Sequence, residues 1–250
     1  MGCAGRARRR TLFSMYTNTV LRAMPAEAVE RLRLRPVKFE VDHELEFPGK
    51  PIERLWFLET GMASMTVTYV DGAQVEVGMF GSESIVGVSA LMGTKRSLNR
   101  VYTQIAGTGF VTPLELARLE FCRGGIFQLL ALRYVQAQLV QAMQSAGCNA
   151  RHNFEQRLAR WLLICADRAR TDTFALSQEY LTGMLGTTRS TVSIAASALK
   201  AAGVIDYTRG VVRIRDASSL EGRACECYRL IKDHLDNYAE FDHGIAMPLG

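Results

Sequence analysis

The sequence predicts an α+β protein with two domains: an antiparallel β jelly roll, then a long helix, then a C-terminal winged helix-turn-helix. Three observations carry this prediction. Short alternating apolar segments separated by turn residues fill residues 37–112, a helical repeat runs from residue 126 to about 148, and two short helical patterns flank a glycine at position 186. A chain of 250 residues has room for two such domains, each with its own core.

The β-rich region contains five predicted strands separated by turn residues. Asp71 and Gly72 lie between two of them, and an Asp-Gly pair between alternating strands favours a hairpin. Pro48-Gly49 and Thr60-Gly61 supply further turns. The predicted strands are residues 37–47, 55–58, 63–70, 74–80 and 101–105. Together they suit a small antiparallel jelly roll.

A long helix follows a short one predicted over residues 114–121. Residues on one face of the long helix recur at three- and four-residue steps, although such a seam is more often plain core than an interface. The seam consists of Ile126, Leu129, Leu132 or Arg133, Gln136, Val140, Met143 and Gly147. A further helix is predicted over residues 152–167, and residues 147–153 are the predicted hinge before it.

Residues 176–205 are typical of a helix-turn-helix. Ser177 is the predicted N-cap of the first helix, and Gly186 ends this helix because glycine adopts a left-handed conformation without steric cost. Thr187 or Thr188 then caps the second helix. The predicted buried residues of the first helix are Leu181, Met184 and Leu185.

The second helix has an apolar inner face and a slim polar outer face. A narrow helix of this kind, with an arginine near its N-terminus, suits insertion into the major groove of DNA. The inner residues are Val192, Ala195, Ala196 and Leu199, and the outer residues are Arg189, Ser190, Ser193 and Ser197. Residues 204–214 alternate and turn at Arg209-Gly210, as the wing of a winged helix does. A helical hairpin in an ordinary core is the alternative, and the wing argues against it.

The GTTRSTVS segment of residues 186–193 and the GMFGSESIVGVSALMG segment of residues 78–93 resemble the Crp/Fnr superfamily of bacterial transcription regulators. The resemblance covers about residues 30–216. It implies a cyclic-nucleotide-binding-like sensor, a dimerisation helix, and a homodimer that binds a two-fold related site in double-stranded DNA, with RNA polymerase as a further candidate partner. The predicted parts are a disordered basic tail (1–20), the sensor (21–123), the dimerisation helix and hinge (124–150), the DNA-binding domain (151–216) and a C-terminal extension (217–250).

The resemblance assigns the DNA contacts to the second helix and the wing. Arg189 is the first choice for a base contact, bidentate to guanine O6 and N7, with Ser190 and Ser193 as supporting readers. The best-known relatives carry a glutamate beside the arginine and a second arginine further along, but Ser190 and Ile194 occupy those places here. We therefore do not expect the family's usual operator. The candidates for phosphate contacts are Thr188, Thr191 and Arg209.

The resemblance also places a ligand cassette at residues 81–101. Gly87 falls where relatives that bind cyclic nucleotides have a glycine, but the next residue, Val88, cannot accept a hydrogen bond from a ribose hydroxyl. Arg96-Ser97 resembles the phosphate-binding pair at a shorter spacing, and Glu83 could replace the ribose contact only in a rearranged loop. We expect that the domain does not bind cyclic AMP in the usual way. A cyclic nucleotide or another small effector stays a candidate ligand.

The six cysteines raise the question of metal binding. Cys148 and His152 are four residues apart and Cys225 and Cys227 form a close pair, but neither pair has the spacing of a closed zinc site. Only Cys3 lies near the N-terminus, so the family's iron-sulfur cluster cannot be built in its usual manner. We predict no metal site, iron-sulfur cluster or haem. A thiol switch through Cys225 and Cys227 stays open.

Charge and composition favour contact with nucleic acid. The net charge is +5, residues 1–10 contain four arginines and no acidic residue, and residues 151–170 contain five basic and two acidic residues. No apolar run approaches the roughly 18 residues of a membrane span, and the N-terminus lacks a secretory core, so we expect a cytoplasmic protein with no membrane partner.

The sequence leaves two other function classes open and gives no support to a third, catalysis. The four histidines lie outside any catalytic motif, so we predict no catalytic residues and no enzyme. An effector-gated regulator, which binds DNA only with a small molecule in the jelly roll, is the first alternative. A winged-helix module that binds another protein and has no operator is the second.

Overall fold

The computed structural model describes residues 15–176 and 178–240. Most of the predicted basic tail therefore lies outside the described residues, and so does the predicted cap Ser177. Packed structure begins before the predicted tail ends at residue 20, because Asn18 is fully buried and its side chain accepts hydrogen bonds from the N–H groups of Val20 and Leu21. Asn18 thereby caps helix α1 (Thr19–Ala23), which helix α2 (Ala26–Arg31) follows.

Seven strands form the two antiparallel sheets of the N-terminal jelly roll. Their bounds are β1 (Arg35–Phe39), β2 (Glu44–Glu46), β3 (Arg54–Leu58), β4 (Met62–Thr68), β5 (Gln74–Phe80), β6 (Arg100–Ile105) and β7 (Gly107–Pro113). One sheet has the order β1-β7-β3, and the other has the order β2-β6-β4-β5. The interior is lined by fully buried side chains such as Phe39, Phe57 and Met62. The predicted fold class is confirmed.

Two strand predictions need correction. The single strand predicted over residues 37–47 is two strands, because Asp42 takes a positive φ of 64° and turns the chain between them. Strand β7 was not predicted, since its sequence lacks alternation, and pairing with both β1 and β3 forms it. The hairpin at Asp71-Gly72 is confirmed, although its loop spans residues 69–73 rather than the predicted 71–73.

Three helices connect the sensor to the C-terminal domain. The short helix α3 (Leu114–Phe121) has the predicted bounds, and the long helix α4 (Ile126–Arg151) precedes helix α5 (Phe154–Ala169). Helix α4 continues through Gly147, so the predicted hinge of residues 147–153 contracts to His152 and Asn153. Asn153 begins α5 by a capping box with Gln156, which fixes where the new helix starts.

The C-terminal domain is a winged helix-turn-helix. It contains helices α6 (Gln178–Met184) and α7 (Arg189–Ala201). The short 3₁₀ helix over Val88–Met92 lies in the sensor, between β5 and β6. The sheet of the C-terminal domain has the order β8-β10-β9, with β8 at Thr173–Ala175, β9 at Ile205–Thr208 and β10 at Val211–Ile214. Val211 pairs with Thr208, so β9 and β10 form the predicted wing.

The C-terminal extension folds back onto the long helices. Helix α8 (Ala217–Arg223) leads into helix α9 (Cys227–Asn237), which packs against α4 and α5. The Tyr134 ring of α4 lies 5.7 Å from the Tyr238 ring, and the Tyr228 hydroxyl donates to Asp167 at 2.7 Å. One continuous apolar core therefore joins the sensor, the long helices and the extension. Among the described helices, none is both long and apolar enough to cross a membrane.

Candidate DNA-binding surface and sensor pocket

Helix α7 buries one face and exposes the other, as the sequence predicts. Val192, Ala195, Ala196 and Leu199 are buried, and α7 packs on α5 through this side of the domain. The opposite face exposes Arg189, Ser190 and Ser197, with Ser193 half-buried. Ile194 also lies on this face and is 72% exposed. The surface thus combines a guanidinium, small hydroxyls and one aliphatic side chain, which are groups that read base edges and thymine methyls.

The N-terminus of α7 gathers hydroxyl groups at the positive end of the helix dipole. Thr188, not Thr187, is the N-cap, and its Oγ1 accepts from the Thr191 N–H at 3.3 Å. The same Oγ1 lies 2.9 Å from both the Ser190 Oγ and the Thr191 Oγ1. Backbone and side-chain donors at a helix N-terminus suit a phosphate group.

The wing presents Arg209 at its tip. Arg209 has a φ of 52° and Gly210 a φ of 76°, so both central residues of the two-residue loop take the left-handed conformation of a type I′ hairpin turn. The Arg209 side chain is exposed. An exposed cation at the tip of a wing is suited to contact a DNA phosphate.

A carboxylate occupies the hydrogen-bond donors of the candidate ligand cassette. The Glu46 carboxylate of β2 accepts hydrogen bonds from the Gly87 N–H and from the Ser97 Oγ, the latter at 2.5 Å. Burial raises the pKa of Glu46, although these two hydrogen bonds oppose the shift. Gly87 has a φ of 91°, and a Cβ there would lie 2.7 Å from the Arg54 carbonyl oxygen, so this position requires glycine. Val88 is buried next to it.

The other two cassette candidates lie apart from this carboxylate. Arg96 is exposed, and its Nη1 donates to the Gly49 carbonyl at 2.7 Å. Glu83 accepts from the Gly81 N–H at 3.1 Å and pairs with the Arg168 Nε of helix α5 at 3.4 Å. The structure therefore joins Gly87 and Ser97 through Glu46, and it places Glu83 at the contact with α5.

Comparison with known proteins agrees with this architecture. Residues 156–223 match the Crp-like helix-turn-helix domain family. The global nitrogen regulator of Nostoc is 28% identical over 166 residues, which cover 62% of this chain and 74% of that protein. The global nitrogen regulator of Synechocystis is 25% identical over 193 residues, which cover 73% of this chain and 85% of that protein.

Solved structures share this fold over about three quarters of the chain. The c-di-GMP responsive regulator CLP of Xanthomonas campestris superposes with a TM-score of 0.62 at 17% identity, over 76% of this chain and 98% of that one. A Crp-family regulator of Thermus thermophilus gives 0.61 at 18% identity, over 75% and 96% of the two chains. Together these findings support a regulator of the Crp/Fnr family. The family assignment drawn from the sequence is confirmed.

A polar network joins the sensor sheet to the helix-turn-helix. The carboxylate of Glu76 on β5 accepts from the Ser64 Oγ at 2.5 Å and from the Trp161 Nε1 of α5 at 2.7 Å. The hydroxyl of Tyr180 on α6 lies 3.2 Å from the same Ser64 Oγ. Burial raises the pKa of Glu76 to about 7, against the opposing effect of its hydrogen bonds. Both long-range contacts connect the sensor to helices of the DNA-binding domain.

A buried arginine makes a second connection between the same parts. Arg168 on α5 is 4% exposed, and its guanidinium donates to the Met79 carbonyl of β5 and, at 2.8 Å, to Gln141 on α4. With Glu83 as its carboxylate partner, Arg168 ties α4, α5 and the sensor together. A buried cation held by several acceptors is costly to disturb, because losing any partner leaves charge uncompensated.

Sequence reasoning missed three parts of these sites. The alternating strand pattern places Glu46 and Glu76 on strands, but it does not identify the groups that hydrogen-bond to their carboxylates. The pairs Cys148 with His152 and Cys225 with Cys227 were treated as separate, yet the fold brings all four side chains together. The cysteines 148 and 225 are 77 residues apart, so only the fold reveals their proximity.

Proposed function

We propose that this chain is a homodimeric, sequence-specific DNA-binding transcription regulator of the Crp/Fnr type. The exposed face of α7 carries the proposal. Arg189 reads a guanine, Ser190 and Ser193 support it, and Thr188, Thr191 and Arg209 contact phosphates. Ile194 adds an apolar contact suited to a thymine methyl. The regulator works in the cytoplasm with DNA and RNA polymerase as partners, and it needs no catalytic step.

Helix α4 supports the dimer. Leu132, Leu139 and Met143 are 46%, 58% and 58% exposed, and they follow one another at steps of seven and four residues. Such spacing places them on one side of the helix, where a second copy can cover them. Two-fold symmetry then presents two α7 helices to successive major grooves, about 34 Å apart on one face of the DNA.

Glu46 supports a sensor that does not bind cyclic AMP in the usual way. A cyclic phosphate needs inward N–H and hydroxyl donors, and here Gly87 and Ser97 already donate to the Glu46 carboxylate. A ligand phosphate entering this place would meet a carboxylate, and like charges repel. In this proposal the domain keeps the sensor fold, and the Glu46 carboxylate takes the place of a ligand phosphate.

Gating by another effector is the second candidate, and the Glu76 network favours it. Ser64 and Glu76 lie on adjacent sensor strands and bond to Trp161 and Tyr180 of the other domain. A ligand that shifts β4 or β5 therefore changes the contact on which α6 rests. Such a ligand acts only through a difference in affinity between the two arrangements.

Equilibrium binding to DNA tests the proposed function. The purified full chain is titrated with the duplex upstream of its own gene and with a random duplex of equal length, over a range of salt. We expect tighter binding to the upstream duplex and an affinity that falls steeply with salt, because phosphate contacts release counterions. Salt-independent or absent binding to both duplexes contradicts the proposal. Arg189→Ala should lose the preference for the upstream duplex, and Arg35→Ala, which removes an exposed arginine of β1, is its charge-matched control.

A further inference from the structure

Four side chains of metal-binding type converge where α4 ends. Cys148 lies in the last turn of α4 and His152 is its C-cap, whereas Cys225 precedes α9 and Cys227 is its first residue. Their ligand atoms all lie within 4.8 Å of one another. The Cys148 Sγ is 3.5 Å from the Cys225 Sγ, and the Cys227 Sγ is 3.6 Å from the His152 Nδ1.

These separations fit one tetrahedral ion. Zn–S bonds of about 2.3 Å and a Zn–N bond of about 2.0 Å place two sulfurs about 3.8 Å apart and a sulfur and a nitrogen about 3.5 Å apart. The observed sulfur-sulfur distance of 3.5 Å and sulfur-nitrogen distance of 3.6 Å are close to these two expected values. An iron-sulfur cluster spreads its ligands over several irons and needs them further apart.

The surroundings match those of a structural metal site. Cys148, Cys225 and Cys227 are 1%, 4% and 1% exposed, so solvent has little access to a fifth position. Glu226 lies 3.3 Å from the His152 Nε2, which leaves the Nδ1 directed at the cluster, as in a carboxylate-histidine-metal arrangement. The Gln144 side-chain amide donates to the Cys227 Sγ at 3.0 Å, an interaction that stabilises a metal-bound sulfur.

We propose that Cys148, His152, Cys225 and Cys227 bind one Zn²⁺ ion that fastens the C-terminal extension to the junction of α4 and α5. Three thiolates and one imidazole form a closed ligand set that suits zinc, and a set with no open position is structural rather than catalytic. The ion joins the end of the dimerisation helix to the start of α9. Because His152 stands directly before the cap of α5, the site also restrains the link to the DNA-binding domain.

Metal content of the full chain is the first test. The protein is purified in reductant without an immobilised-metal column, and zinc is measured by elemental analysis. We expect one zinc ion per chain. Replacement by Co²⁺ should give the visible bands of a tetrahedral ion together with thiolate-to-cobalt charge transfer. Protein without zinc that takes up neither ion, a chain with a Cys148–Cys225 disulfide, or a chain with iron and inorganic sulfide overturns the proposal.

Matched variants distinguish ligands from residues that only pack. Cys225→Ser and His152→Ala should lose zinc on dialysis against a chelator, whereas His152→Cys should keep it because a fourth thiolate replaces the imidazole. Glu226→Gln should retain zinc with about 10-fold weaker affinity. Cys165→Ala removes a buried cysteine outside the cluster and Cys122→Ser an exposed one, and both should keep full zinc. Equal zinc content in the ligand variants and these controls overturns the assignment, and circular dichroism of each variant verifies the fold.

Discussion

Substituting Glu76 by glutamine should change how the stability of this protein depends on pH. Burial raises the pKa of Glu76 from 4.5 to about 7, so the native state holds this proton more tightly than the unfolded chain does. The resulting stabilisation is fully present below pH 4.5 and is lost as the pH rises through 7. At 1.36 kcal/mol per pH unit, the difference between these two pKa values corresponds to at most about 3.4 kcal/mol.

The Ser64 hydroxyl shows how a protonated Glu76 fits the network, although the hydrogen bonds from Ser64 and Trp161 by themselves favour the ionised form. Ser64 has one hydroxyl proton but two acceptors near it, Glu76 Oε2 at 2.5 Å and Gln104 Oε1 at 2.7 Å. A protonated Glu76 donates to Ser64, which then donates to Gln104, so each acceptor is satisfied. Ionisation removes that proton from the boundary between the sensor and the DNA-binding domain.

Urea unfolding followed by tryptophan fluorescence measures the effect. Between about pH 5.5 and about pH 8, the wild-type free energy of unfolding should fall by about 2 kcal/mol more than that of Glu76→Gln, because glutamine cannot ionise. Glu40→Gln, which removes an exposed carboxylate of the same domain, should follow the wild type. Parallel pH profiles for the wild type and Glu76→Gln would refute the reasoning.

Three further outcomes are expected. Arg189→Ala should weaken binding to the specific duplex by about 1 to 3 kcal/mol without changing the dimer, and an equal loss on random DNA in the same titration rejects base reading. Leu139→Lys should yield monomers in sedimentation at micromolar concentration, because it puts charge into the proposed seam; an unchanged dimer rejects that seam. Cyclic AMP should leave the thermal midpoint unchanged, whereas a ligand at 100 times its dissociation constant would add about 2.7 kcal/mol.

Local chemistry explains why much of the fold could be predicted from the sequence. The turn residues and alternation of residues 74–80 predict β5 with its observed bounds, and the helix of residues 114–121 follows directly from Pro113. The wing could be predicted because Arg209-Gly210 has the composition of a tight hairpin turn. In each case the pattern lies within a few residues and needs no distant partner.

The remaining features depend on contacts between distant segments. Strand β7 forms by pairing with β1 on one edge and β3 on the other. The carboxylate of Glu46 accepts a hydrogen bond from Ser97, which is 51 residues away in the sequence. Helix α4 passes through Gly147, where a local reading predicts a hinge, because its turns pack against the sensor and α9. The cluster of Cys148 and Cys225 exists only once the extension has folded back. Sequence spacing cannot contain this information.

Selection of binding sites from random DNA tests the central claim most directly. The full-length chain is incubated with a pool of random duplexes, and the bound fraction is amplified and sequenced over several rounds, with Arg189→Ala run in parallel. The account predicts an enriched site with two-fold related half-sites centred about 10 base pairs apart, or a multiple of that spacing, and loss of the guanine preference in the variant. A folded wild-type protein that enriches no sequence, or the same sequence as Arg189→Ala, would contradict it.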